Sequence, residues 1–483
     1  MQYKWVALTV TTVGGFMSTL DYTIVVLGLP TILQDLQATI VHGIWIITGY
    51  TLMSTILLVL LGRLADMYGR VKLYNLGFIV FTVGSLFCAL SQNGEQLVAF
   101  RFLQGAGAAL LMANNAAIIA DAFPPGELGT ALGINMMSWN LGAILGYTLG
   151  GAMVSWFGWR SIFFINLPIG VFGTLWGYWR LKEVSTRSVH ETFDYLGSIL
   201  YCLSLSIVLC ALAIGNPTSP RNLTILAGGV ALFVAFIQVE KRQKYPTLDL
   251  NLFKLREFAA ANITNFLNSA AFGSGPFLRS LYLQLILGYS ALKAGVLLIP
   301  MEIIVLVLSP ISGRLSDKYG GRVLSSIGLG LNSAGLLWFS RLDENSSYSA
   351  VLVSLVIFGL GRALFISPNV RSIMGSVPPE RRGVANGIRT TLAQTGHVLS
   401  VPFSLLLMTL VMPYDRLSQI VGGRQLAGSN ELPVFLQAIN HACLILGIIT
   451  ALAIIPSLLR GKKETTGKSA DPAPEHGSSV RQR

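Results

Sequence analysis

Two residue types stand where hydrocarbon makes them costly: Asp21 and Arg101 each interrupt a long apolar run, as do Glu302, Arg362 and His397 further along. A charge near the centre of a bilayer costs roughly 2.5 to 3.5 kcal/mol even on insertion scales, so each needs a partner, a wet cavity or protonation. At helical rise Asp21 lies about 12 Å from the outer end of its run and Arg101 about 9 Å from Glu95 at the end of its own, so the two can meet. The proton affinity of an acid depends on its burial and on any guanidinium beside it, and a conformational change that alters either loads or unloads a proton. Proton exchange at Asp21 and Arg101 is therefore one expectation, and a static pair that only fixes helix packing is the other.

Glu302 is the only acid in the apolar runs of the second half, about 13 Å from a run end, where a cavity-facing carboxylate could bind a cationic group or a second proton. Arg362 could attract an anionic group or pair with a nearby carbonyl or Asn369. Arg279 and Arg389 are expected to snorkel from span ends. His397 could titrate near neutral pH, but a lone histidine among apolar neighbours fits a satisfied core residue better. Asn114, Asn115, Asn135, Asn140, Asn262, Asn265, Asn268 and Asn369 also lie in these runs. Asn262, Asn265 and Asn268 recur every three residues and share one helix face, which in lipid must meet protein or water. Some of these amides must join helices. With Trp45, Tyr50 and Trp139, residues Asn114, Asn140, Asn262, Asn265, Glu302 and Arg362 describe a substrate cavity for a molecule both polar and aromatic.

The elements that must position these groups are membrane spans. Of 483 residues 53% are hydrophobic and 12% charged, and mean hydropathy is +0.63. Glycine, at 50 residues, outnumbers Asp and Glu together at 22, a mix in which apolar helices pack through small residues. Such a composition removes most soluble enzyme classes. Lys and Arg exceed the acids by 12 and sit at run ends rather than in patches, which favours a membrane over nucleic acid. Cys88, Cys202, Cys210 and Cys443 all lie inside apolar runs, as buried hydrophobes rather than disulfides or metal ligands. The run after Lys4 is too long for a signal-peptide core and reads as the first span.

Apolar stretches near 5–29, 43–61, 73–91, 97–119, 129–154, 161–181, 195–214, 222–239, 258–285, 294–312, 323–340, 349–370, 383–412 and 435–459 can each cross a bilayer. Fourteen spans put both termini on one side. Lys4, Arg63, Arg70, Lys72, Arg180, Lys182, Lys241, Arg242, Arg314, Lys318, Arg381 and Arg382 share that side, and the positive-inside bias makes it cytoplasmic. The tail after 460 is polar and reads as disordered.

The loop Gly62-Arg63-Leu64-Ala65-Asp66-Met67-Tyr68-Gly69 returns as Gly313-Arg314-Leu315-Ser316-Asp317-Lys318-Tyr319-Gly320, and Pro124-Pro125 with Gly129 and Gly133 returns as Pro378-Pro379 with Gly383 and Gly387. Nearly one offset relates both echoes, so the chain is two six-span halves of like orientation with two spans inserted between them. The expected domains are a bundle at 1–182, a linker with two extra spans at 183–256, a second bundle at 257–460 and the tail 461–483. A parallel repeat places the substrate path between the halves. In the loops, Gly62 with Gly69 and Gly313 with Gly320 allow tight turns, Asp66 and Asp317 can accept from helix N-terminal amides, and Arg70 can reach Asp121. The second half has Gly375 where the first has Asp121.

These residues resemble the major facilitator superfamily, in particular its fourteen-span drug:proton antiporter branch, over nearly the whole chain. The resemblance is carried by Leu20-Asp21-Tyr22-Thr23-Ile24-Val25 with Leu29-Pro30, by Gly62 to Lys72, by Arg101-Phe102-Leu103-Gln104-Gly105-Ala106-Gly107, and by Gly142, Gly146, Gly150 and Gly151. Trp159-Arg160 to Phe164-Ile165-Asn166-Leu167-Pro168-Ile169-Gly170 completes it. It implies an all-α major facilitator fold, a substrate or proton site at Asp21, a conformational latch at Gly62 to Lys72, a proton-linked Arg101, and an antiporter glycine motif of Gly133, Gly142, Gly146 and Gly150. The sequence departs from the family pattern at Val26, Leu128, Thr130 and Tyr147, the last standing where the family has proline.

The resulting expectation is a multi-pass protein of the cytoplasmic membrane, monomeric, that exports small amphipathic cationic or zwitterionic compounds in exchange for protons. It needs no cofactor or metal and binds no nucleic acid. No phosphate loop is present and no catalytic constellation is visible, so the chain reads as a transporter rather than an enzyme. An exporter or uniporter of one polar metabolite, siderophore or lipid is the alternative, and a channel or receptor a more remote one.

Overall fold

The structure is a computed structural model and describes residues 2–183, 194–213, 219–243, 248–378, 381–421 and 431–460. Within lipid, backbone amides must be satisfied inside each segment, and the chain accordingly folds into helices. The first half holds α1 (Tyr3–Asp35), α2 (Ile40–Tyr68), α3 (Arg70–Leu90), α4 (Gly94–Ala122), α5 (Pro125–Phe157), α6 (Ser161–Phe164) and α7 (Asn166–Arg180). Two helices follow, α8 (Tyr195–Ala213) and α9 (Pro220–Glu240). The second half holds α10 (Arg256–Phe272), α11 (Gly275–Leu281), α12 (Ala291–Tyr319), α13 (Gly321–Phe339), α14 (Tyr348–Gly375) and α15 (Arg382–Thr409). It closes with α16 (Tyr414–Val421), α17 (Leu432–Leu452) and α18 (Ile454–Leu458).

Local chemistry sets the boundaries. Asn93 caps α4 by accepting from the Gln96 amide at 2.9 Å, and Pro125 and Pro220 open α5 and α9, where a missing amide proton is no loss. Gly69 at φ 112° and Gly320 at φ 83° make the turns between α2 and α3 and between α12 and α13. Gly62 and Gly313, expected to share in those turns, lie inside α2 and α12. The helices run on because each turn needs only the one residue of positive φ.

Among the described residues, eleven helical stretches are long and apolar enough to cross a membrane, against fourteen expected. The other three expected spans are helical but more polar, because their Gly, Ser and Asn residues serve packing: α5, α10 with α11, and α13. The expected single span at 258–285 is broken at Gly273 and Ser274 and ends in a π turn over Tyr282–Ile286. Short α16 is a helix the sequence reading did not contain. Segments of the expected linker, 184–193, 214–218 and 244–247, and the expected tail 461–483, lie outside the described residues.

In the first half α1 packs along α5, and α4 packs on both α2 and α3. In the second, α14 packs on α12 and α13, and α10 on α15. The halves meet through α5 on α12 and α2 on α15, while the α8/α9 pair packs against α2 and α15. They close at the end away from the termini: Gln284 Nε2 donates to the Leu27 carbonyl at 3.0 Å, and the Ile40 amide to Ser418 Oγ at 3.4 Å. There Gly295 lies so close to the Tyr147 carbonyl that a Cβ would come within 2.0 Å of it. Toward the termini, Gly129, Gly133 and Gly387 face open space.

Candidate functional site

Asp21 sits mid-way along α1 and Arg101 early in α4, and the packing of these helices brings the two side chains together with no solvent exposure on either. Arg101 Nη1 donates to Asp21 Oδ2 at 2.6 Å, and its Nε donates to the Ile46 carbonyl at 2.9 Å. The guanidinium lies 4.2 Å from the centroid of the Tyr50 ring. Asp21 Oδ1 accepts from Gln104 Nε2 and from Asn166 Nδ2, both at 2.8 Å, and Asn166 also donates to Ser85 Oγ at 3.0 Å. Gln104 Oε1 in turn accepts from Arg101 Nη1 at 2.6 Å. Gln104 and Asn166 were not assigned to the site from sequence. The signal for Gln104 was its spacing of three from Arg101, which puts both on one helix face. Asn166 reaches the acid because α6 and α7 break at Ile165, where no local pattern forecasts the angle.

A second ion pair, buried on the acid side only, stands in the other half. Arg362 Nη1 on α14 meets both carboxylate oxygens of Glu302 on α12 at 3.0 Å. This corrects two expectations: Glu302 is engaged by a guanidinium rather than open to a substrate cation, and Arg362 does not reach Asn369, which accepts instead from Arg460 at 2.5 Å. The common cause is the α12 to α14 packing, which turns both charges toward each other. Arg279 does not snorkel: it is 2% exposed, its guanidinium 4.1 Å from the Phe358 ring centroid. Short α11 packs against α1, and ring faces replace water around the charge. Arg389 stays half-buried and donates to Asn386 and Thr390 on its own helix.

Beside the Asp21 network, between the halves, lies an open cavity of about 170 Å³. Ser18, Thr19 and Tyr22 line it from α1, and Tyr50, Thr51, Ser54 and Thr55 from α2. Met112, Trp139, Gln394, His397 and Val398 complete the wall from α4, α5 and α15. Tyr50 thus separates cavity from ion pair, one ring touching both. His397 lines this cavity and is exposed to it rather than packed as a core residue.

Of the expected cavity residues, Tyr50 and Trp139 line this cavity. Trp45 packs on Phe102, ring centroids 5.8 Å apart. Asn114, Asn140 and Asn262 donate to carbonyls of their own helices, at Leu110, Met136 and Phe258. Asn265 donates to the Arg389 carbonyl and Asn268 accepts from Asn332, so the amide face of α10 joins helices instead of facing a ligand. Periodicity marked that face without saying what stood opposite.

At the loop after α2, Arg70 Nη1 contacts both oxygens of Asp121 at 2.9 Å, each side chain about a quarter exposed. The amides of Arg70 and Val71 donate to Glu183 at 2.9 and 3.1 Å, so Glu183 caps the start of α3. The side chains of Asp66 and Asp317 lie outside the described residues. In the second loop Arg371 donates to Ser316 Oγ at 3.3 Å, with Gly375 offering no acid. Gly142, Gly146 and Gly150 press α5 onto α1: an added Cβ would come within 2.6 Å of the Phe16 carbonyl, 1.8 Å of Thr23 Oγ1 and 3.0 Å of Ile24 respectively. Gly133, expected to belong to this motif, faces open space on a side of α5 turned away from α1, although the two helices still meet at that level through Lys4 and Glu127.

A sequence model described as Major Facilitator Superfamily matches residues 11–400 and again 258–482. The chain belongs to the Major Facilitator Superfamily. The riboflavin transporter RibZ of Clostridioides difficile is 33% identical over 83% of this chain and 88% of its own length. The tetracenomycin C resistance and export protein of Streptomyces glaucescens is 31% identical over 82% of this chain and 74% of its own. Among solved structures, an inward-facing, unoccupied bacterial homolog of the human lysosomal transporter Spinster aligns with TM-score 0.69 at 14% identity, covering 95% of this chain and 97% of that one. The last likeness concerns fold alone. As a member of this superfamily the chain is a multi-pass membrane transporter for small molecules, and the finer questions are substrate and coupling.

Proposed function

We propose that this chain is a proton-coupled exporter of small amphipathic compounds, working by alternating access as a fourteen-span monomer of the cytoplasmic membrane with both termini inside. The domain division at 182, 256 and 460 and the latch and glycine roles belong to this reading. One observation carries it: a fully buried carboxylate, Asp21, shares its oxygens among Arg101, Gln104 and Asn166, while Tyr50 stands between that network and the cavity. A solute in the cavity touches Tyr50 and so acts on the guanidinium behind it, and a shift of Arg101 changes the acid's hold on its proton. Arg101 Nη2 has no hydrogen-bond partner here, leaving the guanidinium a spare donor for a second arrangement. Relatives named for drug resistance and export support the direction of transport, and one named for riboflavin transport supports aromatic cargo.

The test is purified protein in liposomes with an imposed pH gradient. Transport should follow the gradient and collapse with an uncoupler. Transport indifferent to both would end the coupling proposal and leave a uniporter.

A further inference from the structure

The cavity wall carries an asymmetry of hydrogen-bonding chemistry. Every hydroxyl that α1 and α2 contribute, apart from that of Tyr22, has its proton engaged by a backbone carbonyl. Ser18 Oγ donates to Gly14 at 2.9 Å and Thr19 Oγ1 to Gly15 at 3.1 Å. Thr51 donates to the Thr48 carbonyl at 3.1 Å, and Ser54 and Thr55 both donate to that of Thr51, at 2.9 and 2.7 Å. Tyr50 donates its phenol to the Ser18 carbonyl at 3.3 Å. A hydroxyl has one proton and two lone pairs, so these side chains present acceptors to the cavity. Among the described residues no Asp, Glu, Lys or Arg lines it, and the nearby charges are paired, Asp21 with Arg101 and Glu302 with Arg362. Tyr22, Tyr50 and Trp139 supply flat apolar faces, and Gln394 and His397 oppose the hydroxyl wall from the second half.

We propose that this cavity selects uncharged, flat aromatic solutes bearing several O–H or N–H donors, read by the hydroxyl oxygens of α1 and α2. The proposal rests on the export reading for its setting and narrows its cargo: a cation finds no carboxylate here, and a solute without donors leaves buried acceptors unmatched. Unmatched polar groups are how sites reject near-isosteres.

The experiment is equilibrium dialysis of the full chain in lipid nanodiscs against three ligands of equal ring area: dihydroxynaphthalene, its dimethyl ether, and N-methylquinolinium. The dihydroxy compound should bind saturably and at least about tenfold tighter than either other ligand, two donors being matched. Thr51→Val and Thr55→Val, which keep shape, and Ser54→Ala should each weaken its binding about two- to tenfold while leaving the ether within about twofold. Preference for the cation or the ether, equal weakening of both naphthalenes, or no saturable binding of the dihydroxy compound would overturn the proposal. Dialysis uses no gradient, so intact binding with gradient-independent transport would instead defeat only the coupling.

Discussion

Asp21→Asn keeps the shape of the side chain and removes its charge, and the geometry around it sets the cost. Turning the new amide oxygen toward Arg101 preserves one hydrogen bond, but the new NH2 then faces two donors, Gln104 Nε2 and Asn166 Nδ2. Gln104 cannot flip to compensate without withdrawing the oxygen that accepts from Arg101. Gln104 Nε2 loses its acceptor, Asn166 Nδ2 keeps only Ser85 Oγ, and the buried guanidinium loses its counter-charge; breaking a buried pair from one side costs about 3 to 5 kcal/mol. Exchanging both partners should be milder: Asp21→Asn with Arg101→Gln has no unpaired charge and should recover at least half of that loss. Stability is read by thermal unfolding in lipid nanodiscs, and coupling by gradient-driven transport in liposomes. Asn166→Ala separates the two effects, because it loosens the network but leaves the titratable carboxylate; it should lower stability by about 1 to 3 kcal/mol yet retain gradient-driven transport with an altered pH profile. Full gradient-driven transport by Asp21→Asn, or stability equal to the parent, would refute the reasoning.

The α5 glycines make a contrast. Gly146→Ala places a methyl 1.8 Å from Thr23 Oγ1 and should lose both stability and transport, with partial rescue by Thr23→Ala, whereas Gly133→Ala in open space should raise helix stability by about 0.5 to 1 kcal/mol. Unfolding temperatures of the variants decide it, and equal effects at both positions would show that the α1 to α5 contact does not matter. The two loops also differ: Asp121→Asn breaks a partly exposed ion pair worth less than about 1 kcal/mol and should shift the inward-to-outward population several-fold without unfolding the chain. Gly375 stands in the other half where the first has Asp121, so Arg371→Gln, which breaks a hydrogen bond to Ser316, should shift it less. Fluorescent labels across the terminal mouth report this, and equal shifts would remove the asymmetry.

What was legible in the sequence is whatever depends on spacing along one helix and on the cost of charge in lipid. Hydropathy places helices, the repeated loops announce two like halves, and the cost of a lone carboxylate in hydrocarbon demands a counter-charge for Asp21, with depth alone pointing to Arg101. The turns at Gly69 and Gly320 follow from backbone sterics in the same way. What stands opposite a given face is another matter, because a helix's rotation and neighbours are set by contacts hundreds of residues apart. So the amides at Asn262, Asn265 and Asn268 were known to share a face, but only packing of α10 on α15 and its neighbours turned that face to other helices. Packing likewise closed Glu302 on Arg362, drew Arg279 in among phenyl rings, and bent α6 and α7 so that Asn166 reaches Asp21. The cavity itself is the clearest case. Its wall is built from serines and threonines unremarkable in sequence, and their role as acceptors exists only because each helix's own carbonyls engage their protons while two halves leave a gap beside them.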